Sequence, residues 1–375
     1  MKREQILEKL HSQVKIAVSQ ANLTGKLLIV AVSGGPDSTA LVHALHNVRK
    51  EVDFKMHGAH LDHQLRGNAS KLDAQYVSDV FGSLGIESTV EHFNVGSLME
   101  EEGLSMEVAA RKARYRFLSR VAKRSGAAAI VLGHTMDDQV ETVLMNIMRG
   151  SGLSGIAGMS TLGYGPLKHN KIQLLRPLLS VSREETALYC RIQGFSPRID
   201  ETNESLSLRR NRVRLELIPE LEKYNPSVKK ALFRLSRSAS YANLFIESKV
   251  DLIWDEVIRH HNAALDINRE AFHSLDPALK RHIIRRAIVE FKGDLQNLQQ
   301  NHIEDVIRLI GSKTGNSIQL PGGLRLSVGY DTVSLYYEKA QYSSPPKIVH
   351  EGIVNTHGKT RIGDWIIDTT VVNLM

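Results

Sequence analysis

The 375-residue chain reads as an α/β protein. It predicts a parallel sheet with helices on both faces, followed by a helical module and small C-terminal β elements. Three observations carry this. Across the first two hundred residues, short apolar runs with β-branched side chains alternate with amphipathic stretches. Several of the runs are apolar throughout, as strands buried on both faces must be. After about residue 219 the alternation gives way to helical stretches opened by proline, then to a stretch with glycine turns.

The strand candidates are KLLIVAVS (26–33), FKMHGAHL (54–61), IESTVEHF (86–93), AAAIVLGH (127–134) and IQLLRPLL (172–179). Helical stretches lie between them at roughly 38–50, 70–84, 106–124 and 136–149, with another at 182–193. Asn225-Pro226 and Asp276-Pro277 each read as an N-cap followed by a first-turn proline, opening helices near 226–260 and 277–292. A third helix is expected at 299–311. GNSIQLPGGLRLSVGYDTVSLYYE then reads as a β-meander, SSPP (343–346) as a linker, and the last 29 residues as a second small β element. This gives three domains: 1–220, 221–340 and 341–375.

Composition narrows the function. Hydrophobic residues make up 42% and charged residues 24%, which is ordinary globular usage and excludes wholesale disorder. No apolar run approaches the ~18 residues that span a bilayer, and MKREQILEKLHSQ has no apolar signal region, so a cytoplasmic protein with no membrane partner is expected. The single cysteine, Cys190, excludes a disulfide framework and any two-thiol chemistry, and its apolar run TALYCRI reads as packed helix. The net charge of +7 hints at anionic partners, but a nucleic-acid surface needs clustering as well.

The chemistry is expected at the carboxyl ends of the strands. Ser33-Gly34-Gly35-Pro36-Asp37-Ser38 directly follows the first strand and opens a helix. Glycines let the backbone approach a phosphate, and amide N–H groups at a helix start point at the anion. The two serine hydroxyls can donate to the same oxygens. Asp37 cannot donate while ionised, so its expected task is to hold Mg²⁺ against a pyrophosphate. No G-x-x-x-x-G-K-[ST] occurs, which excludes P-loop NTPases. The G-x-G-x-x-G at Gly150, Gly152 and Gly155 follows a helix, the wrong setting for a dinucleotide fingerprint, and reads as a flexible loop.

SGGPDS in this setting resembles the PP-loop ATP pyrophosphatases. HLDHQLRG (60–67), MEVAARKARYRFL (106–118), GHTMDDQVETVLMNIMRGSGLSGIAGM (133–159), LLRPLL (174–179) and DETNESLSLRRNRVRLELIPEL (200–221) narrow the resemblance to the tRNA(Ile)-lysidine synthases. It is close over about 26–222 and looser over 226–338. The last ~35 residues match poorly, where the family commonly carries a larger C-terminal domain. The resemblance implies a Rossmann-like fold of the adenine nucleotide alpha hydrolase type. It also implies a reaction: ATP adenylates the C2 oxygen of the wobble cytidine in a CAU anticodon, and the ε-amine of L-lysine displaces AMP. The lack of cysteine pairs fits this branch better than the tRNA-thiolating relatives.

Lysine's amine, with a pKa near ~10.4, costs roughly 4–5 kcal/mol to deprotonate at neutral pH, so the site needs carboxylates. Asp137, Asp138 and Glu141 supply them. Residues 134, 138 and 141 share one helical stripe, and 137 lies beside 141 at i,i+4. Asp137 and Glu141 are expected to hold the ammonium or a metal, with one carboxylate or His134 taking the proton. The plainer reading is that Asp137 and Asp138 only complement a helix N-terminus. His60 and His63 lack a third ligand for zinc. His63 and Arg66 match the family's motif, which implies contact with the nucleotide or the tRNA, and Gly133 is expected with the nucleotide. Arg111 and Arg114 share a helix face with Lys112 beside them, which reads either as a solvated basic face or as cations neutralising ATP or tRNA phosphates near the site.

Arg209, Arg210, Arg212 and Arg214 form the densest basic cluster, and arginine's fork suits phosphate. Lys229, Lys230, Arg234, Arg237, Lys280, Arg281, Arg285 and Arg286 extend the basic character, with 281 and 285 on one helix face. Together they suggest a tRNA-binding surface. Two rivals remain open at this level: a PP-loop enzyme adenylating a small molecule, and a tRNA-binding homologue on a dead nucleotide fold. The residues do not distinguish a monomer from a homodimer.

Overall fold

The computed structural model describes residues 3–64, 67–165, 172–198, 208–261, 264–293, 298–338, 353–362 and 365–370. It divides into two compact units, Met1–Phe245 and Ile246–Met375.

The first unit is built on six strands: β1 (Leu27–Ala31), β2 (Lys55–Asp62), β3 (Ser88–His92), β4 (Ala129–Val131), β5 (Leu162–Tyr164) and β6 (Gln173–Leu175). Their order is β3-β2-β1-β4-β6-β5, parallel throughout except that β5 runs antiparallel to β6. Pleating splits β1 between two cores. Leu28 and Val30 pack with α1 (Arg3–Gln20), α2 (Pro36–Val52), α3 (Asn68–Ser83) and α8 (Arg183–Gln193). Ile29 faces the other way, onto α5 (Met106–Ser125). Helices therefore cover both faces, as the fully apolar strands require.

The chain moves outward from β1 through β2 to β3, then crosses back to place β4 on the other side of β1. That reversal sets the carboxyl ends of β1 and β4 side by side at the switch point, where ligands of such sheets bind.

Several elements escaped the sequence reading. Helix α1 buries Ile6, Leu10, Val14, Ala17 and Val18 at a helical spacing hidden among its charges. Strand β5 is only three residues long. Helix α4 (Val95–Glu102) is capped by Asn94, whose side chain accepts from Ser97 N. The glycines at 150–155 do not form a bare loop but lead into a short helix, α7 (Leu153–Ala157). The segment is tied down by Asn146, which donates to the Gly155 carbonyl, and by Gln139, which bonds Ala157 and Met159. Cys190 lies buried on α8, and burial pushes its thiol up to about 12.

After α6 (Met136–Met148) the chain reaches a continuous helical run, α9 (Arg209–Arg212), a π-helical turn (Val213–Leu217) and α10 (Ile218–Tyr224). Val213 and Ile218 pack on Val140 and Leu144 of α6. Helix α11 (Val228–Val257) begins two residues after Pro226, because Asn225 closes a turn first, accepting from Ser227 N. Leu232 and Phe233 of α11 join the α6 contact.

In the second unit the predicted meander is part of a larger sheet. β7 (Ile258–His261) and β8 (Ala264–Asn268) replace the expected end of the helix and extend the meander of β9 (Ser317–Leu320), β10 (Leu324–Val328) and β11 (Thr332–Tyr337). The order is β7-β8-β11-β10-β9, antiparallel throughout. After α12 (Arg269–His273) come α13 (Pro277–Lys292), with Asp276 at its N-cap, and α14 (Gln300–Ile310). Both α13 and α14 contribute to one core with the sheet. The terminal β element is a hairpin of β12 (Gly358–Ile362) and β13 (Trp365–Thr369). The SSPP linker lies outside the described residues.

Candidate active site

The loop after β1 is shaped by its own hydroxyls. Ser38 Oγ donates to the Gly35 carbonyl at 3.0 Å and lies 3.2 Å from both the backbone nitrogen and the hydroxyl of Ser33. Gly34 adopts φ +89°, which side chains rarely tolerate. Its carbonyl accepts from Arg198 N at 2.9 Å. Pro36 takes the first helical turn, so the α2 N-terminus opens at the loop. Gly133, just past β4, presses against the same loop: a Cβ there would lie 3.2 Å from Ser38 Cα and 3.3 Å from the Asp37 carbonyl group. A side chain at 133 would require the first turn of α2 to shift by a few tenths of an ångström.

Asp37 leads from the loop into a cluster of charges. Thr186 Oγ1 donates to its Oδ1, and Arg183 Nε lies 3.5 Å from Oδ2. Arg183 also donates to Asp138 at 2.6 Å and Glu141 at 2.7 Å, while its backbone N–H donates to Asp137 Oδ2 at 2.8 Å. Arg210 reaches Glu141 at 2.5 Å and Asp138 at 3.1 Å, and Arg214 reaches Glu141 at 2.8 Å. The fully buried Glu141 carboxylate is thus ringed by three guanidinium groups. Burial works to raise Asp138 and Glu141, but these arginines outweigh it and hold both carboxyls below their ordinary values. Asp37 goes the other way: burial pushes it up to about 6, against Thr186 and Arg183.

A model described as a PP-loop domain matches residues 7–221, and one described as the TilS substrate binding domain matches residues 267–338. A tRNA(Ile)-lysidine synthase of Dehalococcoides mccartyi is 33% identical over 354 residues, 93% of this chain and 74% of that protein. One from Clostridioides difficile is 34% identical over 360 residues, again 93% of this chain and 75% of that protein. The chain belongs to the tRNA(Ile)-lysidine synthase family. Among solved structures, a U34-tRNA thiolase from Methanococcus maripaludis with its [4Fe-4S] cluster shares the fold. It has a TM-score of 0.50 and 19% identity, over 63% of this chain and 80% of that one.

Asp138 accepts from Thr135 N and Oγ1, so it caps α6 as the plainer reading expected, and it also meets two arginines. Asp137 does not join the ring around Glu141. Lys229 Nζ lies 3.4 Å from its Oδ1. His134, beside Gly133, accepts at Nδ1 from Arg176 Nε at 3.2 Å. Arg114 lies near Tyr115, its guanidinium carbon 5.9 Å from the ring centre, and pairs with no carboxylate among the described residues. Burial lowers its pKa. Arg111 is exposed, 4.9 Å over the same ring.

His63 is drawn down to about 4 by burial and by Arg114, and its Nδ1 is buried without a partner among the described residues. Arg66 lies outside the described residues, as does 200–207 of the last quoted motif.

The basic cluster divides by helical phase. Arg210 and Arg214 point inward to Glu141, while Arg209 and Arg212 are exposed, Arg212 beside Glu216. Lys230, Arg234 and Arg237 are exposed on α11, Arg237 donating to the Tyr241 hydroxyl. In the second unit Arg281 forms a two-pronged pair with Glu304, and Arg286 pairs with Asp251 over Trp254. Arg285 is partly buried, and desolvation lowers its pKa. Lys280 donates to the His273 carbonyl.

Arg176, Arg183 and Thr186 were missed from the sequence. Arg176 sat in an apolar run, and Arg183 and Thr186 looked like ordinary residues of a capped helix; no local spacing marks them.

Proposed function

We propose that this chain ligates L-lysine to C2 of the wobble cytidine of a CAU-anticodon tRNA(Ile), using ATP in two steps at one cleft. The observation that carries the reading is Arg183, which ties Asp37 of the phosphate loop to Asp138 and Glu141. Arg183 thus links the loop to the carboxylates near the switch point of the sheet, which supports one shared site.

In the first step the cytidine oxygen attacks the α-phosphorus and pyrophosphate leaves. Loop amides at 34–38, with Ser33 and Ser38, suit the phosphates. Arg114, with no carboxylate partner among the described residues, adds a cation, and His63 adds a ring nitrogen without a partner among them, for the nucleotide. The residues fit Mg²⁺ in one way: no group of three or more ligating side chains exists among the described residues, yet Mg²⁺ on a nucleotide needs only one or two carboxylates. Asp37 would supply one. Bound there, the ion would neutralise charge on the departing pyrophosphate.

In the second step the lysine amine forms the C–N bond, the C2–O bond breaks and AMP leaves. Glu141 is enclosed by arginines, so its role is to orient Arg183, Arg210 and Arg214. Asp137 is the carboxylate placed for an ammonium, and the 3.4 Å approach of Lys229 Nζ supports that use. Exposed cations at Arg209, Arg212, Lys230, Arg234 and Arg237 would take tRNA phosphates. Catalysis is assigned to residues 1–220 and tRNA binding mainly to 221–340. No helix of the described residues is long and apolar enough to cross a membrane, and a cytoplasmic site suits a tRNA substrate.

Pyrophosphate release from ATP, measured with tRNA and with or without lysine, tests the proposal. Adenylated tRNA should accumulate without lysine, as read by mass, and convert on adding it. Release of only the terminal phosphate would overturn it.

A further inference from the structure

His134 stands at the carboxyl end of β4, next to the glycine that presses on the phosphate loop. Arg176 Nε carries a single hydrogen and aims it at His134 Nδ1 across 3.2 Å. A guanidinium does not give up its protons in a protein, so Nδ1 must present its lone pair. A second proton on the ring would set N–H against N–H. The one proton of the neutral ring therefore sits on Nε2, and no hydrogen-bond partner faces Nε2 among the described residues.

Arg176 cannot easily turn away. It is buried, its Nη1 donates to the Ser160 carbonyl at 2.9 Å, and its backbone N–H donates to Thr161 at 2.8 Å. The charged groups facing the ring are Asp138 from α6, Arg176 after β6, Arg114 from α5 and Arg210 from α9. Burial, helped by the three cations against one carboxylate, keeps the imidazole well below its usual range.

We propose that His134 acts as a neutral hydrogen-bond donor through Nε2 toward the oxygen that gains charge in adenylyl transfer, and that Arg176 is the positioning residue that sets its tautomer. The ring then has no lone pair for the lysine proton, which must pass to a carboxylate. The identity of the oxygen served rests on the adenylation reading; the tautomer does not.

Two measurements test this. In protein labelled with ¹⁵N at histidine, the His134 ring should show a protonated Nε2 and a bare Nδ1, unchanged from about pH 5 to pH 8. A proton on Nδ1, or titration in that range, overturns the proposal whatever the enzyme does. In single-turnover pyrophosphate release, His134→Gln keeps an N–H donor and should stay within about tenfold of the parent, whereas His134→Ala should fall about 10²–10³-fold. Equal losses in the two variants, with an active parent, would also sink it. Arg176→Met should let the ring exchange tautomers while burial still keeps it neutral; a ring still fixed on Nε2–H in that variant would remove Arg176 from the role. A parent that releases no pyrophosphate with tRNA would instead defeat the adenylation reading and leave the ring result to decide the tautomer.

Discussion

The Asp37 carboxyl is pushed up to about 6, first by burial and against the pull of Thr186 and Arg183. An ordinary aspartate ionises near 3.8, so between about pH 4 and pH 6 the folded chain binds more protons here than the unfolded one. Stability from this group accordingly declines as pH rises through that window. Asp37→Asn should relieve the penalty, adding about 1–2 kcal/mol at pH 8 and little at pH 4. The same variant should lower adenylation by at least ~10²-fold, the mark of a residue kept for function against stability. Urea denaturation at the two pH values, with pyrophosphate release alongside, reads both effects; equal destabilisation at both pH values would contradict the linkage. At this scale the sequence placed Asp37 at the start of the helix after β1 and Asp137 in the first turn of α6, where the structure has them. It was silent on Arg176, whose meaning depends on a histidine 42 residues away.

Helix α8 brings Arg183 to α6, and the run from α9 to α10 brings Arg210 and Arg214 to the same carboxylate. Removing one partner of a buried ion cluster leaves charge uncompensated. Arg183→Ala should cost about 3 kcal/mol in urea denaturation, and adding Glu141→Gln should cost less than the two changes summed. Because Asp138 and Glu141 lie below their ordinary values in the fold, their contribution is complete above about pH 5 and is lost as pH falls through their folded values. The contact between β4 and the loop makes a second prediction. A methyl at position 133 meets backbone, which cannot yield as a flexible side chain would, so Gly133→Ala should raise the KM for ATP about tenfold or more with a smaller change in thermal stability. Strands, and helices with clean periodicity, were legible here. Helix α1 was masked by its charges, and β7 by a helical pattern that ran into it.

The +7 charge takes its meaning from where it is left unpaired. Arg210, Arg214, Arg281 and Arg286 are engaged by carboxylates, whereas Lys230 and Arg234 on α11 are exposed with no ion pair among the described residues. The affinity for tRNA should fall steeply with salt, and replacing Lys230 and Arg234 by alanine should reduce the slope by about 1.5. An unchanged slope in filter-binding titrations would move the tRNA elsewhere. The sequence by itself determined the parallel sheet, the phosphate loop and the family, because periodicity, glycine placement and motif order are local and survive without coordinates. Which basic residues are left exposed, which neutralise Glu141, and which ring nitrogen of His134 meets Arg176 were decided only by tertiary structure. Those properties arise between side chains that the chain brings together from far apart.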